Sequence, residues 1–326
     1  MKRQRQVYMN GIFVNELDAK VSIYDSSLMF GDMVFEMTRS FNGKQFKLKE
    51  HIERLFAGTS ILEIPMDITP EELEAACLET IEVNRNNFAP DDEHRLLIDV
   101  SRGLLGIYQD IPGAHVGTNV IIADFPLRRT VSSMGKLFDI GINLAIPSQR
   151  AIPARYLDPK IKNRSRIFYL MANIEVSRLK GENNWALLLD DDGFITEGTG
   201  DNVFLVKNGV IYTPEGRNIL RGISRQYVID ELAPQLSMKV IEKNLEPYDL
   251  YTADEAFVTG TPFCMLPVAS LNGALLGKGN LPGPVFSALL NQWGKNQDVD
   301  IPGQIKSWAN SSSISGPTPY QFKPSR

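Results

Sequence analysis

Cysteine and histidine are scarce in this chain of 326 residues. Its two cysteines, Cys77 and Cys264, cannot build a disulfide framework or a cysteine-rich zinc site. Of the three histidines, His51, His94 and His115, none stands at i, i+4 from another, so a histidine-based metal centre is not expected. Charge of one sign is also missing. Lys plus Arg number 34 and Asp plus Glu 39, a net charge of −5, which gives no electrostatic reason for nucleic acid or an anionic membrane as partner. No run approaches the ~18 apolar residues of a membrane span, and the basic start MKRQRQVYMN has no apolar run behind it. Neither a membrane anchor nor a signal peptide is expected, and a cytoplasmic location is the simplest expectation. If the chain is an enzyme, another residue type or an organic cofactor carries its chemistry.

What is present is ordinary for a protein with a full core: 43% hydrophobic and 22% charged residues. At roughly 150 residues per domain the length predicts about two domains. Asn10-Gly11, Asn42-Gly43 and Asn208-Gly209 each lie between short apolar runs and predict three hairpins. The apolar period over 49–62 predicts a helix. A second starts at Thr69, a capping residue followed by Pro70 and two glutamates. Residues 96–100 and 119–124 predict strands. Pro147, Pro153 and Pro159 mark 146–159 as the linker between an N-terminal domain, 1–145, and a C-terminal domain, 160–295. In the latter, helices are predicted over 165–180 and 224–236, and strands over 185–189, 194–197, 202–207, 210–212 and 255–259. From 296 to 326 the composition turns to Ser, Asn, Pro and Gly and reads as a polar tail.

Three short segments place small or hydroxyl residues where the chain enters or leaves regular structure: 198–200 after Glu197, 222–224 at a helix start, and 259–261 after a strand. Free amides and a hydroxyl at a helix start suit a phosphate; taken singly, each segment reads first as a turn or cap, since caps are common. Neither a P-loop nor a GxGxxG fingerprint occurs at them. Alternation over 158–163 puts Lys160 and Lys162 on one strand face. Such a pair either faces solvent or supplies a Schiff-base lysine whose amine is tuned by burial or charge.

Four segments in order carry a resemblance: His51-Ile52-Glu53-Arg54-Leu55, Ile161-Lys162-Asn163, the ITEGTGDNVF run at 195–204, and Leu220-Arg221-Gly222-Ile223-Ser224-Arg225. Together they resemble the class IV aminotransferases, the pyridoxal-phosphate enzymes of fold type IV, from about residue 21 to 290. The resemblance implies an α/β (α+β) chain with a small N-terminal α/β domain, a larger C-terminal pseudo-barrel domain, and a homodimer. It implies Lys162 as the catalytic residue that holds pyridoxal 5'-phosphate and then serves as acid and base. Glu197 would meet the pyridine nitrogen, and Arg54 would bind the cofactor phosphate together with Ile223, Ser224 and Thr261. Phe35, Thr261 and Pro262 would line the substrate. Arg54 follows Glu50 by four residues, so a surface ion pair worth ~0.5 kcal/mol is its alternative reading. Asn202 and Arg225 read as supports, Cys264 as a small core residue, and Arg102 has no assigned role.

The implied activity is transfer of an amino group between an amino acid or primary amine and a 2-oxo acid by a ping-pong mechanism. The family also holds aminodeoxychorismate lyases, so a lyase is one alternative and a non-catalytic metabolite-binding protein another. The donor stays open among branched-chain amino acids, D-amino acids and (R)-amines. Where branched-chain enzymes carry arginine and tyrosine this chain has Leu97 and Arg95, and Ile167 stands where they carry a further tyrosine. The Arg-x-His of D-amino acid enzymes is absent from 104–110. The Asp-Pro-x-x-Lys-Asn run and Tyr212-Thr213-Pro214 are similar to (R)-amine transaminases, yet Thr261-Pro262-Phe263 replaces their glycine-rich turn.

Overall fold

Asn10 and Gly11 both adopt positive φ, 52° and 90°, the backbone twist that joins two strands through a two-residue turn. The hairpin they make, β1 (Gln6–Met9) and β2 (Ile12–Asn15), starts the first of two compact units in a computed structural model that describes residues 4–311. The same unit holds β3 (Met33–Met37), helices α1 (Leu48–Ile61) and α2 (Pro70–Asn84), β4 (His94–Ser101) and β5 (Asn119–Pro126). Among the described residues its main sheet has five strands in the order β2-β1-β5-β4-β3, all neighbours antiparallel. Thr69 caps α2 through a complete capping box with Glu72. The second hairpin also forms, Ser40–Phe41 against Lys44–Gln45, with Asn42 and Gly43 again at positive φ.

Alternation divides the two faces of this sheet. Val34, Leu96, Ile98, Val100 and Ile122 point into a core with Leu48, Ile52 and Leu55 of α1 and Leu73, Cys77 and Ile81 of α2. Gly58 lets α1 close on β3, since a Cβ there would stand 3.0 Å from Val34. The opposite face presents Phe35, Leu97 and Asp99. Segment 161–166 joins this unit and lies along the outer edge of β3, where Phe35 N–H donates to the Lys162 carbonyl at 2.9 Å and Val34 bridges Asn163.

Among the described residues the second unit comprises 128–160 and 167–311. Its strands are β6 (Ile142–Ala145), β7 (Asn184–Leu189), β8 (Ile195–Gly198), β9 (Asn202–Lys207), β10 (Val210–Thr213), β11 (Val240–Glu242), β12 (Glu255–Gly260), β13 (Cys264–Leu271) and β14 (Ala274–Leu275). These form a nine-stranded sheet in the order β8-β7-β6-β13-β12-β9-β10-β11, with β14 beside β13. It is mixed: β6 runs parallel to β7 and β13, and β10 parallel to β11. Helix α3 (Ile167–Ser177) buries Tyr169, Ala172, Asn173 and Val176. Helix α4 begins at Ile223–Tyr227 and continues to Gln235 through a π-type turn at Val228–Leu232. Pro234 has no N–H to offer the carbonyl four residues earlier, which accounts for the widened turn. Helices α5 (Pro284–Gln297) and α6 (Ile301–Ser311) follow.

Four expectations are corrected. The units do not part at 146–159: the chain changes unit after 127, after 160 and after 166. The prolines of 146–159 mark a loop inside the second unit, because Ile142–Ala145 already pairs there with β7 and β13. The tail expected from 296 carries α6, whose Ile301, Ile305 and Trp308 are buried at helical spacing; its remainder, 312–326, lies outside the described residues. The helix expected over 165–180 ends at Ser177. Finally, Lys160 and Lys162 share no strand face. Lys160 belongs to the second unit, paired with Asp158 at 2.7 Å, whereas Lys162 belongs to the first. Among the described residues no helix is long and apolar enough to cross a membrane, and no group of three His, Cys, Asp or Glu side chains could hold a metal ion.

Candidate active site

Glu36 explains why α1 carries both a histidine and an arginine on one face. Its side chain is fully buried beneath α1, and a lone carboxylate there would be costly. His51 Nδ1 lies 2.7 Å from Glu36 Oε2, while Arg54 donates from Nε to Oε1 at 2.6 Å and from Nη2 to Oε2 at 2.8 Å. Burial raises the Glu36 carboxyl, but Arg54 and His51 outweigh it and hold it well below the usual carboxylate range. His51 is itself pushed down, first by burial and further by Arg54 and Lys162, against the pull of Glu36. Arg54 therefore is not the surface partner of Glu50, which pairs with Lys47 at 3.0 Å. Its guanidinium is clamped from below.

Lys162 is positioned by the backbone pairing of its segment with β3. Its Nζ lies 4.8 Å from the centroid of the Phe35 ring, and Phe35 is buried. Lys162 and Phe35 thus come together in the first unit, which also holds Arg54, bound to Glu36 on the face of β3 that α1 covers. Arg102 gains a role as well: it pairs with Asp32 and donates to the carbonyls of Leu62 and Glu63 at the end of α1, a structural tie.

The second unit gathers Glu197, Ile223, Ser224, Thr261 and Pro262. Glu197 is buried on β8 and accepts three hydrogen bonds: Tyr169 Oη to Oε1 at 2.7 Å, and Asn202 Nδ2 and Leu220 N–H to Oε2, each at 3.0 Å. Both carboxylate oxygens are fixed in orientation. Ile223 and Ser224 open α4 after Gly222, whose position admits no side chain: a Cβ would stand 2.1 Å from Asn202 Oδ1. Thr261 and Pro262 occupy the tight turn between β12 and β13, closed by the pairing of Gly260 with Cys264. One strand residue before that turn, the Thr259 hydroxyl is buried without a hydrogen-bond partner. Asp201, in the loop between β8 and β9, is pushed up to about 8 by burial and then by the Glu197 charge.

Sequence reading missed Glu36, Tyr169 and Asp201. Only Glu36 had a local signal, a charged residue inside the otherwise apolar run Val34-Phe35-Glu36-Met37. Asn202 and Arg225 stand as the supports they were expected to be, Arg225 buried and donating to the Pro214 carbonyl at 2.9 Å. Cys264 is a buried free thiol.

These residues fit pyridoxal phosphate. A buried, doubly oriented carboxylate suits a protonated ring nitrogen, and Gly222 with the unpartnered Thr259 hydroxyl suits a group approaching the backbone closely. The family of class IV amino-transferases matches residues 33–271, and the chain belongs to it. It is a pyridoxal-phosphate-dependent aminotransferase of fold type IV. A relative from Methanocaldococcus jannaschii, provisionally named a branched-chain-amino-acid aminotransferase, is 39% identical over 272 residues, 83% of this chain and 89% of that protein. The branched-chain-amino-acid aminotransferase of Escherichia coli K12 is 33% identical over 290 residues, 87% of this chain and 90% of the relative. A crystal structure of the branched-chain aminotransferase from Thermoproteus uzoniensis with norvaline covers 94% of this chain and 98% of its own, with TM-score 0.77 and 28% identity. Neither the lyase nor the non-catalytic alternative is favoured.

Proposed function

We propose that the enzyme transfers the amino group of a branched-chain amino acid to a 2-oxo acid, with Lys162 as its catalytic residue. The observation that carries the transaminase chemistry is the Glu197 carboxylate, held by Tyr169, Asn202 and Leu220 so that it can keep a proton on a pyridine nitrogen. When bound, pyridoxal phosphate supplies a ring that withdraws electrons from the substrate Cα. Lys162 Nζ would hold the cofactor covalently and, once substrate has displaced it, would take the proton from the substrate Cα and deliver it to the cofactor carbon that Lys162 had held. Arg54, its Nε and Nη2 held by Glu36, would bind the phosphate as a fixed cation, and the amides of Ile223 and Ser224, the Ser224 hydroxyl and Thr261 would serve the same group.

For the donor, the support is that the relatives named above are branched-chain enzymes; on the sheet face beside Lys162, half-buried Leu97 adds an aliphatic side chain. Thr261 and Pro262 would complete the wall. The test gives purified holoenzyme L-leucine, L-isoleucine, L-valine, D-alanine and (R)-1-phenylethylamine separately, each with 2-oxoglutarate, and follows oxo product. Turnover of the three L-amino acids is expected. Preference for D-alanine or the amine would replace the donor assignment, and no turnover with any donor would remove it.

The finer readings are a homodimer and a cytoplasmic location. Support for the dimer is an apolar surface on the first unit: Ile23, Leu28, Phe30 and Ile107 are exposed at 63% or more. Buried Asp25 fixes this surface by accepting from Ser101 Oγ and Asn119 Nδ2, and Tyr24 stacks on Tyr108 at 4.8 Å. Large apolar side chains left this exposed suit an interaction surface. Sedimentation of an active monomer would count against it.

A further inference from the structure

Asp99 lies directly opposite Phe35 in the β3–β4 register, so the two side chains share the sheet face that flanks Lys162. Arg164, two residues beyond Lys162, spans both. Its Nη2 donates to Asp99 Oδ1 at 3.1 Å, and its Cζ lies 3.6 Å from the Phe35 ring centroid. Arg166 lies near the same ring, at 5.1 Å, as does Lys162. Three cations thus surround one aromatic ring, with Asp99 the carboxylate bonded to Arg164 among the described residues. That bond uses one nitrogen of the guanidinium. The side chain keeps about a third of its surface exposed, leaving donors of the planar fork for a second carboxylate.

We propose that Arg164 binds the carboxylate of the amino-acid and 2-oxo-acid substrates, and that Asp99 is a positioning residue holding its guanidinium against Phe35. This rests on the transaminase reading above and deepens it by naming the residue that meets the substrate carboxylate. Stacking on Phe35 removes the rotational freedom of the arginine, so less is lost when it meets the anion. Asp99 is two-sided in its effect. It orients the fork, yet engages it through a single bond, so donors of the Arg164 guanidinium remain for the substrate anion.

The test measures equilibrium binding to the holoenzyme by calorimetry, which needs no turnover. The ligands are 4-methylpentanoate and its neutral isostere 4-methylpentanamide. Charge-assisted bonds of this kind predict that Arg164→Gln weakens the acid by roughly tenfold or more while the amide stays within about twofold. Arg164→Lys restores part of the loss, and Asp99→Asn weakens the acid less than Arg164→Gln does. Acid and amide weakened alike would make Arg164 a merely structural partner of Asp99 and overturn the proposal, as would unchanged acid binding in Arg164→Gln. The donor assay fails independently: an enzyme that prefers D-alanine to L-leucine still shows the acid-selective loss.

Discussion

The Asn202 side-chain amide that donates to Glu197 through Nδ2 sets its Oδ1 in the space that any side chain at residue 222 would occupy. The same amide nitrogen also donates to the Leu220 carbonyl at 3.0 Å. The glycine before α4 and the acid on β8 are thereby coupled.

Gly222→Ala must displace Asn202, because its Cβ would stand 2.1 Å from Oδ1. Glu197 then loses one of its three donors and its fixed orientation. Pyridoxal phosphate affinity, followed by absorbance titration of the apoenzyme, is expected to fall by roughly tenfold or more, the range for a hydrogen bond to a charged group. Tyr169→Phe removes the bond to the other oxygen and should cost a similar factor. Unchanged affinity in both variants would mean that Glu197 needs no orienting.

Glu36→Gln removes the anion of a buried cluster and leaves Arg54 and His51 one acceptor oxygen in place of two. Removing one partner of a buried ion pair costs about 3–5 kcal/mol, so the urea midpoint should drop sharply at pH 7. The folded carboxyl sits below its ordinary value of 4.5, so its stabilisation is present above that pH and is lost as pH falls below it. The gap between variant and wild type should therefore narrow on acidification below about 4.5. A gap independent of pH would show that Glu36 does not act as an anion.

Ile107, next in sequence to Tyr108 of the Tyr24–Tyr108 stack, has 76% of its surface accessible. Ile107→Glu should leave the monomer fold intact, since nothing covers that side chain, while placing a charge where the proposed dimer excludes water. Sedimentation velocity should show the dimer shifting towards monomer. A variant that sediments as wild type would place the dimer contact elsewhere.

Local features were legible because local chemistry decides them. Asn-Gly at 10–11, 42–43 and 208–209 adopts positive φ at both positions in all three hairpins. Thr69 caps its helix with the residue three positions on. The partners of Glu197 were not legible: Tyr169 lies 28 residues earlier and Leu220 23 later, joined only by the packing of α3 and the approach to α4 on one sheet. The unit boundary was hidden for a similar reason. Proline density reports loops, but the parallel pairing of Ile142–Ala145 with β13, more than a hundred residues away, decides where that segment belongs. Averaging composition from 296 onward concealed the Ile301, Ile305 and Trp308 period.

Asp201 is the buried acid whose titration should register in folding. Its Oδ1 has no hydrogen-bond partner, and burial, reinforced by the Glu197 charge, raises the carboxyl from 3.8 to about 8, against a lowering contribution from the Gly200 amide. Between those values the folded chain keeps a proton that the unfolded chain gives up. The stabilisation from this group is thus complete below pH 3.8 and is lost as pH rises towards about 8, by about tenfold in the folding equilibrium per pH unit. An amide at this position cannot ionise, so Asp201→Asn should remove this slope. Urea unfolding of both proteins at pH 5 and pH 8 tests it: the variant should gain on wild type as pH rises. A difference that stays constant from pH 5 to pH 8 would show that Asp201 does not hold the proton, and that the loop after Glu197 carries two charges side by side.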